Sequence, residues 1–252
     1  MGAGSDPMYK VTQPLDPIRH RGLTPLIAIA EIALCSSVPT QVAIGLLLRL
    51  GGVAPLDDAG QLSLPFVLIL SVADTVLLIA LMVALTRAHG DSVSTLWLGH
   101  RAVRWEALFG VLIIPVVFLM VVVLLNLLRL AAPWLHNVPT NPLEQLARTP
   151  GQAAMFAGVA ILAGGVREEL QRAFLLQRFE RHLGGAAVGV VVLSIGFGLG
   201  HIVQGWDAVV TTGLLGAFWA LMYLRRRSIV APLVSHAGFN TLEVVRVAIV
   251  GG

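Results

Sequence analysis

Seven long apolar stretches, separated by short polar segments, run along the chain. Each has about the 20 residues that a helix needs to cross a lipid bilayer. The apolar residues form continuous runs and do not alternate with polar ones, which is typical of membrane helices rather than of transmembrane strands. The pattern predicts an all-α fold, a polytopic transmembrane helical bundle of about seven spans (roughly six to eight). The predicted spans are 23–48, 63–86, 107–128, 152–177, 184–203, 207–224 and 229–250.

The composition supports a membrane protein. Charged residues make up 12% and hydrophobic residues 56% of the 252 residues, whereas a soluble domain carries about 25% charged residues. This balance excludes an ordinary soluble enzyme, a disordered chain and a nucleic-acid-binding protein. The net charge of +3 is better explained by basic residues that flank membrane spans than by an acidic partner. The single cysteine, Cys35, excludes an intramolecular disulfide.

Basic residues concentrate in alternate connecting segments, which predicts a cytoplasmic N-terminus and an external C-terminus. The connection 51–62, on the opposite side, has no Lys or Arg. The residues that carry this signal are Lys10, Arg19, Arg21, Arg87, Arg101, Arg104, Arg178, Arg181, Arg225, Arg226 and Arg227.

The same pattern divides the chain into four parts. We expect a cytoplasmic tail over 1–22, N-terminal transmembrane helices over 23–130, an external loop over 131–150 and a functional transmembrane core over 151–250. Segment 91–106 carries Trp97 and Trp105 beside arginines, which predicts an interfacial helix on the cytoplasmic face.

Ionisable side chains at membrane depth are costly and are functional candidates by default. Glu31 and Asp74 are isolated in the first two spans, and we expect them to be hydrogen-bond partners between helices. The others concentrate in the last four spans, where spacings of three or four residues place them on shared helix faces. These candidates are Glu168, Glu169, Arg172, His201, His236 and Asn240, with Glu243 as a minor candidate.

These residue types suit the hydrolysis of an amide by water, because they supply a base, imidazoles and a hydrogen-bond donor. A glutamate with His201 and His236 could alternatively hold a divalent metal such as Zn²⁺. The depths do not match fully. At 1.5 Å per residue His236 lies about 10 Å, and His201 about 25 Å, from the cytoplasmic ends of their spans.

Three short motifs on separate apolar stretches resemble those of the CAAX-protease and bacteriocin-processing family of intramembrane proteases. FGLGH at 197–201 matches the family's FxxxH, and HAGFN at 236–240 matches its HxxxN. EELQR at 168–172 is similar to its EExxxR but is one residue shorter. The resemblance covers about residues 150–245 and implies an intramembrane endopeptidase.

The shortened first motif leaves the identity of the base open. Arg172 lies four residues after Glu168 and three after Glu169. If Arg172 pairs with Glu168, Glu169 is the freer base. We favour Glu168, with Glu169 close behind.

The family resemblance implies that a glutamate activates water, that Asn240 and His236 stabilise the oxyanion, and that His201 orients the water or binds a metal. It implies Zn²⁺ or another divalent metal, with a metal-free mechanism as the alternative. We expect membrane lipid and a membrane-associated or prenylated protein or peptide as partners, in a bacterial or archaeal cell membrane. The other hypotheses are a non-catalytic membrane partner, such as a bacteriocin-immunity or regulatory protein, and a small transporter that uses Glu31 and Asp74.

Overall fold

The computed structural model describes residues 24–250. The predicted tail over 1–22 and its basic residues lie outside the described residues. Within them the regular structure is helical, apart from one isolated bridge between Leu56 and Leu62. The α-helices are α1 (Pro25–Leu34), α2 (Val38–Leu50), α3 (Leu64–Ala88), α4 (Val93–Trp97), α5 (Val103–Ala131), α6 (Pro150–Val159), α7 (Glu168–His182), α8 (Ala186–Leu199), α9 (Trp206–Arg226) and α10 (Val230–Val250).

The all-α bundle predicted from the apolar pattern is confirmed. Four helical stretches in the described part of the chain are long and apolar enough to cross a membrane: Pro25–Leu50, Leu64–Ala88, Val103–Ala131 and Trp206–Arg226. The other predicted spans coincide with helices that are shorter or carry more charge, such as the 14-residue α8. The count of seven and the cytoplasmic N-terminus therefore stay predictions.

The first predicted span is not one continuous helix. It breaks between α1 and α2, where Ser37 adopts a left-handed conformation with φ of 71°. Pro39 occupies the first turn of α2, where its missing N–H leaves no helical hydrogen bond unmade. Gln171 of α7 fills the break, because its Nε2 donates to the Cys35 carbonyl oxygen at 2.5 Å and to Ser37 Oγ at 3.1 Å. The break in the first span is therefore hydrogen-bonded to a side chain from the C-terminal half.

The predicted interfacial helix over 91–106 is wrong in its extent. Only α4, Val93–Trp97, is a separate helix, and residues 103–106 already belong to α5. Gly99 adopts a positive φ of 62° between them, which ends the short helix. Trp97 is buried rather than interfacial, and its Nε1 donates to the Leu170 carbonyl oxygen at 3.2 Å. Trp105 is 59% exposed, and its predicted place at the membrane surface stays a prediction.

A π-helical stretch, Ala160–Arg167, joins α6 to α7 within the fourth predicted span. Such wider turns are rare and recur at functional sites. The stretch ends at the residue before Glu168, and it packs against α3 and α10. It therefore sets the rotation at which α7 presents its first two residues.

Three ion pairs, each with a buried carboxylate, join the N-terminal helices to the C-terminal ones. Glu31 of α1 accepts from Arg178 Nε at 2.6 Å and contacts His89 Nε2 at 2.6 Å. The pairing confirms the expectation that Glu31 and Asp74 are partners between helices. Arg178 is 1% exposed, so it is not the loop charge that the orientation argument assumed. The other two pairs are Asp74–Arg167 at 2.5 Å and Glu106–Arg226 at 2.5 and 2.8 Å.

The C-terminal helices pack closely enough to enclose a cavity. α8 crosses α9 where Gly198 faces the backbone of Gly213 and the carbonyl oxygen of Val209. A Cβ atom at Gly198 would collide with that backbone, so only glycine allows the approach. The segment 131–150 forms two 3-10 turns, Pro133–Leu135 and Pro142–Ala147, at the end of the bundle where α9 begins. This segment, with α5, α9 and α10, surrounds the cavity described below.

Candidate active site

The start of α7 and the second turn of α10 bring three of the predicted residues together. Glu169 Oε1 accepts a hydrogen bond from His236 Nδ1 at 2.9 Å. Glu168 Oε2 lies 3.8 Å from the other ring nitrogen, Nε2. The two adjacent carboxylates therefore face opposite nitrogens of one imidazole.

Glu169 is the more buried and more strongly paired member of the two. Its side chain is 1% exposed, and the same oxygen that accepts from His236 also accepts from Arg172. Arg172 therefore pairs with the residue three before it, and not with Glu168 as the four-residue spacing allowed. A carboxylate that accepts from Nδ1–H fixes one tautomer of neutral imidazole and leaves the lone pair on Nε2. Glu169 thus directs the accepting nitrogen of His236 toward Glu168.

Glu168 is the freer carboxylate. Arg167 donates to its Oε1 at 3.0 Å, while no hydrogen bond to Oε2 occurs among the described residues. Its side chain is 18% exposed, against 1% for Glu169. The gap between Oε2 and His236 Nε2 is longer than a hydrogen bond, and a water bound to one would lie within reach of the other. Glu168 is thus the less strongly paired carboxylate, because Arg172 pairs with Glu169, while the identity of the base stays a prediction.

Trp219 of α9 completes the environment of His236 and was missed at the level of sequence. Its ring stacks on the imidazole with centroids 3.8 Å apart and an angle of 17°. Its Nε1 donates to Ser235 Oγ at 3.1 Å, which fixes the orientation of the indole. Arg172 lies over the same ring at 5.7 Å. The sequence signal was only that of a tryptophan in an apolar helix, which is more often a packing residue.

His201 contacts the group of Glu168, Glu169 and His236 through the ring of Phe197. Its Nδ1 donates to the Phe197 carbonyl oxygen at 2.8 Å, which leaves Nε2 as the acceptor of a neutral ring. The ring of Phe197 contacts both histidines edge-on, with centroids 4.9 Å from His201 and 6.1 Å from His236. The unequal membrane depths predicted for His201 and His236 stay a prediction.

Asn240 follows His236 by one helical turn. Its Nδ2 donates to the carbonyl oxygen of Ala160, in the π-helical stretch, at 3.3 Å. An amide nitrogen carries two hydrogens, so one remains for another acceptor. Asn240 also lines the cavity beside His236. It is therefore placed to donate to a group bound there.

A cavity of about 440 Å³ leads from His236 to the segment 131–150. This size is within the usual range of ligand sites. Neither Glu168 nor Glu169 is among its lining residues, so His236 and Asn240 are the members of the group that a bound molecule would meet first. The minor candidate Glu243 lines it and pairs with Arg246 at 3.0 Å. Its other polar lining residues include Arg129, His136, Asn141, Glu144, His201, Gln204, Asp207, Thr211 and Thr212.

The metal site predicted from His201 and His236 stays a prediction. Among the described residues no three His, Cys, Asp or Glu side chains form a group that could hold a metal ion. Each of the two imidazoles has its Nδ1 occupied, by Glu169 or by the Phe197 carbonyl oxygen. This leaves both Nε2 atoms as the accepting nitrogens, as in a histidine that binds a metal.

Residues 149–242 match a family model described as type II CAAX prenyl endopeptidase Rce1-like. No curated protein and no solved structure matches the chain. The match confirms the resemblance inferred from the three motifs and includes the stretch from Glu168 to Asn240.

Proposed function

Because residues 149–242 match the Rce1-like family of CAAX prenyl endopeptidases, we propose that this protein is an intramembrane endopeptidase with Glu168 as the general base. The observation that carries the proposal is the pair of carboxylates on His236. Glu169 holds Nδ1 at 2.9 Å, and Glu168 Oε2 lies 3.8 Å from Nε2. A fixed imidazole beside a freer carboxylate is a suitable place to bind and activate one water.

In the proposed reaction Glu168 takes a proton from that water as its oxygen bonds to the peptide carbonyl carbon. His236 Nε2 orients the water. The developing oxyanion accepts from the second hydrogen on Asn240 Nδ2, which the Ala160 carbonyl leaves free. Glu168 then returns the proton to the leaving nitrogen as the C–N bond breaks. Glu169 and Arg172 act through His236 and are positioning residues.

The substrate class that we propose is a membrane-associated or prenylated protein or peptide. The cavity supports this because its lining is mixed. Val121 and Leu125 of α5 and Phe239 of α10 are apolar, whereas the 131–150 segment and the later helices contribute polar residues such as Asn141 and Thr212. An extended chain with an apolar portion would suit such a lining.

The test is cleavage of a quenched fluorescent peptide with a prenylated CAAX sequence by the full chain in liposomes. Glu168→Gln should reduce kcat by about 10²–10⁴-fold, the usual contribution of a general base. Glu243→Gln is the matched control, because Glu243 lines the same cavity but pairs with Arg246. Its rate should stay near that of the wild type. A Glu168→Gln protein that cleaves at the wild-type rate would contradict the assignment.

Metal removal provides a second test of the same mechanism. The proposal routes every step through Glu168, His236 and Asn240, so dialysis against 1,10-phenanthroline should leave the initial rate unchanged. A loss of activity that Zn²⁺ restores would favour the metal hypothesis instead.

No specific observation favours the transporter hypothesis. Glu31 and Asp74, on which it depends, are both paired with buried arginines. The non-catalytic membrane partner predicts that Glu168→Gln keeps its cellular effect, which is the outcome that would support it.

A further inference from the structure

One face of α9 forms a wall of the cavity. Asp207, Thr211, Leu215 and Trp219 follow one another at intervals of four residues, and all four line it. Since Trp219 stacks on His236, its position marks the level of the candidate site. Asp207 marks the other end, where it accepts from His136 of the 131–150 segment at 2.8 Å. Thr211 lies between them, about 12 Å from the level of His236 at 1.5 Å per residue.

The hydroxyl of Thr211 is unusual among the helical threonines. Thr75, Thr86, Thr212 and Thr241 each donate to the carbonyl oxygen four residues earlier, at 2.7–2.8 Å. Thr211 is 3% exposed, and its Oγ1 is closed to solvent and has no hydrogen-bond partner in the part of the chain that the structure describes. Because the residue lines the cavity, a rotation of its side chain would bring the hydroxyl to a bound molecule. Its neighbour Thr212 lines the same cavity with its hydroxyl satisfied by Ala208. The unpaired donor is therefore a property of this position and not of the cavity wall in general.

A buried hydroxyl without a partner is unfavourable, and native proteins tolerate few of them. Such a group is expected where a ligand supplies the missing partner. In an extended peptide each residue advances about 3.3–3.4 Å, so 12 Å corresponds to about three or four residues. A peptide that lies along α9 with its scissile bond at His236 would bring a backbone group to Thr211 at that distance.

We propose that Thr211 is a substrate-positioning residue whose hydroxyl donates to a backbone carbonyl of the bound peptide, three or four residues from the scissile bond. This inference rests on the proposed function. The contact sets the register of the peptide, because only one carbonyl at that distance can meet the hydroxyl when the reactive bond lies at His236. The recognition is of backbone and is independent of the side chain there.

The test compares Thr211→Val, which removes the hydroxyl and keeps the shape, with Thr211→Ser, which keeps the hydroxyl. We expect Thr211→Val to lower kcat/KM for the prenylated CAAX peptide about tenfold, the usual effect of one lost hydrogen bond. The loss should fall mainly on KM, and Thr211→Ser should restore most of it. Thr212→Val controls for the cavity wall. Ser194→Ala controls for the chemistry, because Ser194 is also buried with an unpaired hydroxyl but does not line the cavity.

Thermal unfolding separates positioning from structure. Removal of an unpaired buried hydroxyl is neutral or stabilising, so Thr211→Val should unfold at the wild-type temperature or above it. A lower unfolding temperature would mean that the hydroxyl has a structural partner, such as a buried water, and would overturn the proposal. Wild-type kcat/KM in Thr211→Val would overturn it as well.

The length of the peptide gives a further prediction. When the peptide is truncated to two residues from the scissile bond on the side that reaches Thr211, wild type and Thr211→Val should cleave it equally. A difference that persists with peptides truncated on either side would overturn the placement of the contact.

Peptide binding distinguishes failure of this inference from failure of the proposed function. If the wild type binds the prenylated peptide but does not cleave it, the proposed function is wrong. The proposed contact between Thr211 and the peptide is then supported if Thr211→Val weakens binding about tenfold. It is contradicted if binding is unchanged or absent.

Discussion

His236 is held from two directions by residues of separate elements. Glu169 of α7 accepts from its Nδ1, and Trp219 of α9 stacks on its ring. A side chain that is fixed in this way costs little entropy to orient when a substrate binds. The motif letters identify His236 and the two glutamates. They do not reveal Trp219, because an aromatic residue within an apolar helix has no polar spacing to mark it.

We predict that the stacked ring of Trp219 contributes to catalysis. Trp219→Leu removes the stacked ring and should reduce kcat/KM about 10–100-fold through the loss of positioning. Trp219→Phe keeps a ring and should retain most of the activity. Rates should be compared per folded molecule after size-exclusion chromatography, since Trp219 is 1% exposed and its truncation also leaves a cavity.

Trp206→Leu is the matched control for this prediction. Trp206 is 43% exposed and begins the same helix. Equal losses in Trp219→Leu and Trp206→Leu would mean that the stacking does not position His236.

The helices α1 to α10 differ from the predicted spans mainly at breaks. Apolar runs identified the presence of the helices, because burial in lipid or in the bundle requires such runs. They did not reveal the left-handed Ser37 or the π-helical stretch, because both keep the apolar pattern and depend on contacts from other helices. Gln171, which fills the first break, lies 134 residues away from Ser37. The residues around Ser37 do not indicate a partner at that distance along the chain.

The pair between α5 and α9 predicts a stability effect. Arg226→Met would leave the 2%-exposed Glu106 without its bidentate partner and with only Arg101, at 3.8 Å, and should cost about 1.5–3 kcal/mol of unfolding free energy, the usual contribution of a hydrogen bond to a charged group. Replacing both residues, as Glu106→Leu with Arg226→Met, should recover most of that loss, because the poorly paired buried carboxylate is gone. Thermal unfolding in detergent measures both. The adjacent Arg225→Met, at an exposed position, is the control and should change little.

The contact between α7 and the α9–α10 turn predicts a pH dependence. Arg227 donates to both carboxylate oxygens of Glu180, at 2.7 and 2.5 Å, and this hydrogen bonding lowers the pKa of Glu180. A lowered pKa in the folded state contributes stability above the unfolded value, which is lost as the pH falls through the folded value. Glu180→Gln should therefore be less stable than wild type at pH 7, and the difference should shrink on acidification.

The control for the pH dependence is Asp58→Asn, at an exposed carboxylate in the α2–α3 connection. Its unfolding temperature should follow that of the wild type at each pH. A gap between Glu180→Gln and wild type that widens toward low pH would contradict the sign.

The molecule as a whole is joined by charge as well as by packing. Each of α1, α3 and α5 contributes one buried carboxylate, and each finds an arginine from the C-terminal half. Sequence reasoning assigned Arg178 and Arg226 to connecting loops, because a basic residue near the end of a span is usually a topology signal. It could not assign pairs whose members lie 93–147 residues apart.

We predict that residues 1–148 and residues 149–252 depend on each other to fold. Residues 149–252 expressed alone should fail to give a monodisperse species on size-exclusion chromatography, and co-expression with residues 1–148 should restore it. The control is a first half with Glu31→Gln, Asp74→Asn and Glu106→Gln, which should restore it poorly. Equal rescue by both first halves would contradict a role for the ion pairs.

These pairs also decide how freely the family segment can be exchanged. Arg167, Arg178 and Arg226 all lie within residues 149–242, whereas their carboxylates lie outside it. Residues 149–242 therefore depend on carboxylates elsewhere in the chain and cannot be transferred to another protein by themselves. A chimera that grafts this segment onto another N-terminal half would contain two buried arginines, Arg167 and Arg178, and the half-buried Arg226 without their carboxylates, unless the host has carboxylates at the same three positions. Recombination between related proteins would have to transfer the three carboxylates together with the three arginines that they pair with.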